Sequence, residues 1–167
     1  RMPFNDKYVQ NIKPDGDSKQ TMVDVDLLML AGDCGAYRGG VTLAENLPND
    51  DKMSLTIGGG RRNVYHRQIR LGAKPEKIKE RLNALLDPEQ HRYYNLEADH
   101  WFTIGHENTH SLGPTQGREK LGKYQSIIEE NKADVGAVSF IDMLTEKGMC
   151  TQEQRLQILV TFAADNF

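Results

Sequence analysis

The chain has 167 residues, of which 38% are apolar and 27% charged, with a formal net charge of −3. That length suits one domain with a substantial core, and the composition is ordinary for a water-exposed globular protein. A slightly acidic chain gives no reason to expect nucleic acid or an anionic membrane as partner. No apolar run approaches the roughly eighteen residues needed to span a bilayer. Cys34 and Cys150 are the only two cysteines. They form neither a disulfide framework nor C-x-x-C metal spacing, so they read as buried free thiols in a reducing compartment. No signal-peptide pattern is visible. The expected localisation is cytoplasmic, with a removed targeting segment left open because the chain starts at Arg1.

Residues 1–21 are polar, with Pro3, Pro14 and Gly16, and read as an irregular lead-in. Val23, Val25, Leu27 and Met29 alternate with Asp24 and Asp26, a strand pattern. Gly32, Gly35, Gly39 and Gly40 mark a loop. Met53 to Ile57 and Asn63 to Ile69 read as two extended segments around Gly58-Gly59-Gly60. That glycine run, with Arg61 and Arg62, lacks the G-x-x-x-x-G-K-[ST] phosphate loop and reads as a turn.

At Pro75 the character changes. Pro75 suits a first helical turn, Ile78, Leu82, Leu85 and Leu86 follow at helical spacing, and Asp87-Pro88 ends the helix. Asp99 is a candidate cap for a second helix, which Gly113-Pro114 terminates. A loop around Thr115 to Glu119 returns the chain. Leu121, Tyr124, Ile127, Ile128, Val135 and Val138 mark a further helix, and another apolar pattern runs from Ala137 to Met143. Thr151 with Gln154 forms a capping box ahead of Leu156, Ile158, Leu159, Val160 and Phe162. The expected fold class is α+β: a mixed, strand-containing segment over residues 1–74 and a mainly helical metal-binding region over 75–167.

The chemistry sits in two blocks. His106-Glu107-Asn108-Thr109-His110 is an H-E-x-x-H motif, which on a helix puts two imidazoles at i and i+4 on one face. Nineteen residues separate it from Glu130, the third ligand that a His2Glu zinc site needs, and Asp134 lies one helical turn further. Asp134 can accept the free ring N–H of a ligand histidine. Glu107 points about 100° away from His106 around the helix, so it can act as general base on zinc-bound water. Helical spacing alone leaves Glu129 open as the ligand instead of Glu130.

Three other histidines fit no ligand spacing. His100 lies about 240° around the helix from His106, while His66 and His91 are remote, so structural roles are expected for all three. Tyr93-Tyr94 could offer a phenol to an oxyanion or simply pack. Asn46-Leu47-Pro48-Asn49-Asp50 reads equally as a substrate loop or a structural turn.

Ile104 to Pro114 resembles the zinc helix of dipeptidyl peptidase III-type metallopeptidases, most of all the shorter bacterial and plant relatives with two residues between Glu and the second His. Glu129-Glu130-Asn131-Lys132-Ala133-Asp134 resembles that family's second zinc motif, Glu-Glu-x-[Arg/Lys]-Ala-[Glu/Asp]. Leu30-Ala31-Gly32-Asp33 and Asn46 to Asp50 are also similar to family segments, and the similarity runs from about Asp24 to Val138. The resemblance implies one zinc ion on His106, His110 and Glu130, with Glu107 as the catalytic glutamate. It also implies a peptide substrate, release of N-terminal dipeptides, and a chain that is a fragment needing the rest of its own polypeptide. Some plant relatives carry a Nudix domain, but the Nudix box is absent from this sequence. Two alternatives stand beside this reading: a non-catalytic zinc-stabilised binding module, and a zinc hydrolase of a non-peptide substrate.

Overall fold

The computed structural model describes residues 22–25, 43–47, 62–66, 75–110, 112 and 118–166. Among the described residues, three short strands precede four helices: β1 (Met22–Asp24), β2 (Ala44–Leu47), β3 (Arg62–Tyr65), α1 (Pro75–Leu85), α2 (Leu96–His110), α3 (Gln125–Glu146) and α4 (Gln152–Asn166). Two 3-10 segments, Pro88–Tyr93 and Arg118–Tyr124, join the helices. This is the expected α+β arrangement with a helical C-terminal half.

The sheet has the order β1-β3-β2. β1 runs parallel to β3 and β2 runs antiparallel to it, with Asn46 opposite Asn63 and Ala44 opposite Tyr65. Side chains two apart share a face of a strand. Asn46, Asn63 and Tyr65 therefore lie on one face, and all three are buried. The strand at Ala44–Leu47 is not apparent from its sequence, where Asn46 suggests a loop. Asn46, a polar residue, faces the protein interior, the reverse of the usual alternation signal. The remainder of the expected strand 23–29, the segment Met53 to Ile57, the Gly58-Gly59-Gly60 turn and Cys34 lie outside the described residues.

α1 starts and ends where Pro75 and Asp87-Pro88 place it. α2 begins earlier than Asp99 suggests. Its cap is Asn95, whose Oδ1 accepts from the Glu97 and Ala98 amides at 2.8 and 3.4 Å. Asp99 is instead a buried residue within the first turns. Asn95 satisfies two amide donors that the first turn leaves without intrahelical partners, which places the start. The segment from Arg118 is helical, so the loop around Thr115 to Glu119 ends sooner than expected. α4 carries the expected capping box: the Thr151 amide donates to Gln154 Oε1 at 2.9 Å, and the Gln154 amide to Thr151 Oγ1 at 3.1 Å.

Of the two apolar patterns expected between Leu121 and Met143, the residues from Ile127 onward belong to one continuous helix, α3, while Leu121 and Tyr124 lie in the 3-10 segment before it. Its buried residues are Ala133, Ala137 and Ile141, whereas Ile127, Ile128 and Val135 are exposed, as is Tyr124 just before it. α2 and α3 pack through small residues, and a Cβ built on Gly105 would come within 3.1 Å of the Ala137 Cα. A Cβ on Gly136 would overlap the Thr109 side chain. Large side chains cannot occupy that seam, so the bulkier apolar residues fall elsewhere. Ala98, Phe102, Ala137, Ile141 and Ile158 form the core, with the Phe102 and Phe162 rings stacked at 4.3 Å.

Gly136→Ala reverses a familiar sign. Replacing a helical glycine by alanine ordinarily stabilises by about 1 kcal/mol. Here overpacking against Thr109 is expected to destabilise by about 1–3 kcal/mol, read as a lower denaturant midpoint. A midpoint at or above that of the parent protein would show that the helices do not approach this closely.

Candidate metal centre

The close seam between α2 and α3 determines what faces what. His106 and His110 stand one turn apart on α2, and Glu129, Glu130 and Asp134 face them from α3. His106 Nε2 lies 3.1 Å from His110 Nε2 and 3.2 Å from Glu130 Oε2. His110 Nε2 is 3.8 Å from the same oxygen. The structure thus brings His106, His110 and Glu130 into one cluster able to hold a metal ion, with the histidines half-buried and Glu130 exposed.

The other ring nitrogens are occupied. His106 Nδ1 sits 2.9 Å from Asp134 Oδ1, and His110 Nδ1 sits 3.1 Å from Glu129 Oε1. If each Nδ1 donates its proton to the carboxylate, each Nε2 is left with a lone pair. Two lone pairs and a carboxylate oxygen then converge with no proton among them. Such a donor set is repulsive unless a cation neutralises it, so the residues fit a metal. Their spacing fits as well, since atoms about 2.0–2.2 Å from a tetrahedral zinc lie about 3.3–3.6 Å from one another.

Glu129, left open as a ligand by helical spacing, faces His110 Nδ1 and lies outside the cluster of His106, His110 and Glu130. It also accepts from Lys132 Nζ at 2.6 Å and lies 3.8 Å from Arg118 Nη1. Lys132 in turn donates to the Leu112 carbonyl at 2.7 Å, which ties the chain beyond α2 to α3. Partial burial pushes the Glu129 carboxyl up, but hydrogen bonds from His110 and Lys132 and the Lys132 charge outweigh it and hold the group at about 2. Sequence spacing does not assign this role to Glu129. Only its i, i+3 pairing with Lys132 is legible there.

Glu107 is buried, and it lines an open cleft with His106, Asp134, Leu43, Ala44 and Asp99. Burial raises its carboxyl above the usual range, His106 and His110 oppose that, and Glu130 and Glu45 add to it. A carboxyl held up in this way takes up a proton more readily than an ordinary exposed one.

The remaining candidates lie elsewhere. His100 is buried edge-on to Tyr65, with ring centroids 6.0 Å apart. His91 Nε2 lies 3.1 Å from the Leu82 carbonyl and 3.2 Å from that of Leu86, at the end of α1. The Tyr94 hydroxyl binds Asp165 Oδ1 at 3.1 Å and Arg81 at 3.0 Å, while Tyr93 packs under Arg92. Neither tyrosine belongs to the ligand cluster. Asn46 lies in β2, while Pro48, Asn49 and Asp50 lie outside the described residues.

No protein-family model matches the chain. Among solved structures it is similar to dipeptidyl peptidase III from Caldithrix abyssi, with a TM-score of 0.70 and 29% identity over 90% of this chain and 30% of that one. It is also similar to dipeptidyl-peptidase III from Corallococcus sp. strain EGB, with a TM-score of 0.67 and 27% identity over 77% of this chain and 25% of that one. Among curated proteins it is 25% identical over 151 residues to Nudix hydrolase 3 of Arabidopsis thaliana, covering 84% of this chain and 19% of the plant protein. The chain therefore spans less than a third of each of these relatives. Among the described residues, no helix is long and apolar enough to cross a membrane. The fold is that of a portion of dipeptidyl peptidase III-like chains, and within it two histidines and a glutamate are placed where a metal ion could bind.

Proposed function

We propose that this chain carries the metal centre of a zinc peptidase that acts on short peptides and releases dipeptides from their amino ends. The observation that carries the reading is the convergence of His106 Nε2, His110 Nε2 and Glu130 Oε2, with Asp134 and Glu129 behind the two rings. His106, His110 and Glu130 would hold the ion. When bound, zinc lowers the pKa of water and polarises a carbonyl. Glu107 takes up a proton at its carboxylate and later delivers it to the leaving amine. Asp134 and Glu129 keep both imidazoles in the tautomer that offers Nε2. Dipeptide release rests on the two dipeptidyl peptidase III likenesses.

Metal analysis together with hydrolysis of dipeptidyl amides tests the proposal. Activity is expected to vanish on chelation and return with zinc. Bound zinc with no hydrolysis of any peptide would favour the binding module, and hydrolysis of another ester or amide class would favour the non-peptide hydrolase.

Because the chain spans 30% and 25% of the two similar structures, we further propose that it works as part of a larger catalyst. The exposed Tyr124, Ile127, Ile128 and Val135 supply apolar surface for packing against further polypeptide. Purified residues 1–167 are expected to bind zinc but to turn over dipeptidyl substrates far more slowly than a longer active form. Equal turnover by both would show that the catalytic unit is this small.

Asp134→Asn and Glu129→Gln each remove one carboxylate behind a ligand ring. Each is expected to weaken zinc binding about 10–100-fold, measured by competition with a chelating dye. An unchanged affinity for both would mean that the rings need no such support.

A further inference from the structure

α2 is gripped on two sides. α3 holds its histidines, through Asp134 and Glu129. The sheet holds something else. Asn46 Nδ2 donates to the Glu107 backbone carbonyl at 3.0 Å, and also to the Asn63 Oδ1 directly across the ladder. Asn63 Nδ2 donates to the Tyr65 hydroxyl at 3.1 Å and to Asn108 Oδ1 at 3.3 Å. Asn108 Nδ2 donates to the Ile104 carbonyl at 2.8 Å, and the Tyr65 hydroxyl lies 3.5 Å from the same oxygen.

The placement of this network is informative. Glu107 is among the last four residues of α2, whose carbonyls have no acceptor role left within the helix. Asn46 supplies the Glu107 carbonyl with a donor from a different element. Asn63 accepts from Asn46 and donates to Tyr65 and Asn108, so Asn46 and Asn63 together link the sheet to two consecutive residues of the H-E-x-x-H turn, Glu107 and Asn108. Asn46, Asn63 and Tyr65 are 6%, 4% and 3% exposed. A core that needed only adhesion would be simpler to build from apolar side chains. A buried network with its donors and acceptors matched instead fixes one rotation of the helix against the sheet. The Glu107 side chain shares the cleft wall with Ala44, two residues before Asn46 on β2.

We infer that Asn46, Asn63, Asn108 and Tyr65 form a positioning device for Glu107, so that the sheet orients the base while α3 orients the metal ligands. The inference rests on the peptidase reading for what Glu107 does, but not for how the turn is held.

Asn63→Leu, similar in size but unable to hydrogen-bond, tests it. In the active polypeptide, kcat is expected to fall at least about tenfold with KM little changed, as misplacement of a catalytic group does. Zinc affinity, read by dye competition, should stay within about threefold of the parent because the ligands are held from α3. Amide hydrogen exchange in the metal-free protein should accelerate at least about tenfold over residues 104–110. In a Glu107→Gln background, Asn63→Leu should lower turnover no further, since the residue it positions is already disabled. If Asn63→Leu does not fold, Tyr65→Phe removes one hydroxyl and carries the same test, with a fall of about threefold in kcat.

Unchanged exchange over 104–110 would overturn the inference. So would a loss of zinc affinity in step with turnover, or an additive loss on Glu107→Gln. Absence of peptide hydrolysis by the parent protein would refute the peptidase reading alone, because the exchange measurement still shows whether the network holds the turn.

Discussion

Glu107→Gln is expected to lower turnover by about 10²–10⁴-fold while zinc content stays at the parent level. The substitution keeps the size and shape of the side chain and removes only its ability to take up a proton. Glu107 sits in the cleft beside His106, but it is not part of the cluster formed by His106, His110 and Glu130. Metal binding should therefore survive. Metal analysis and steady-state kinetics on the same preparation check this. A variant that loses zinc but keeps most of its activity per bound ion would mean that Glu107 is a ligand rather than the base. Equal activity with full zinc would remove it from the mechanism.

Glu130→Ala should have the opposite signature. The side chain is 62% exposed, so its removal is expected to change the melting point of the metal-free protein little. Zinc affinity, however, should fall by more than the about 10–100-fold typical of residues behind the ligands. The rise in melting point on adding zinc should then shrink or disappear, because stabilisation by a ligand follows its affinity for the folded state. Thermal denaturation with and without zinc separates the two effects. If Glu130→Ala kept the full zinc-induced rise, the third ligand would lie elsewhere, and Glu129, 3.1 Å from His110 Nδ1, would be the next residue to replace.

The site and the fold are legible in the sequence to different depths. Spacing within one helix is a local property, dictated by 3.6 residues per turn. His106 and His110, and likewise Glu130 and Asp134, fall on shared faces by spacing alone. Local hydrogen bonding likewise marks the Thr151–Gln154 box. The Asn95 cap is also local, but Asp99 competes for it, and only the observed start of α2 chooses between them.

What the tertiary structure alone decided depends on residues far apart in the chain. Glu129 and Glu130 are neighbours, and only the crossing of α2 and α3 sends one to His110 Nδ1 and the other to the two Nε2 atoms. That crossing is close because Gly105 and Gly136 leave room for it, and glycines in a helical pattern carry no hydrophobic signal. Ile127, Ile128 and Val135 are exposed although their apolar character suggests a core face. The bond from Asn46 to Glu107 spans 61 residues, and an asparagine in a short segment signals a turn more readily than a buried strand. Sequence periodicity therefore determined which groups each helix could present. The packing of small residues between helices, and of amides between sheet and helix, decided which of them meet.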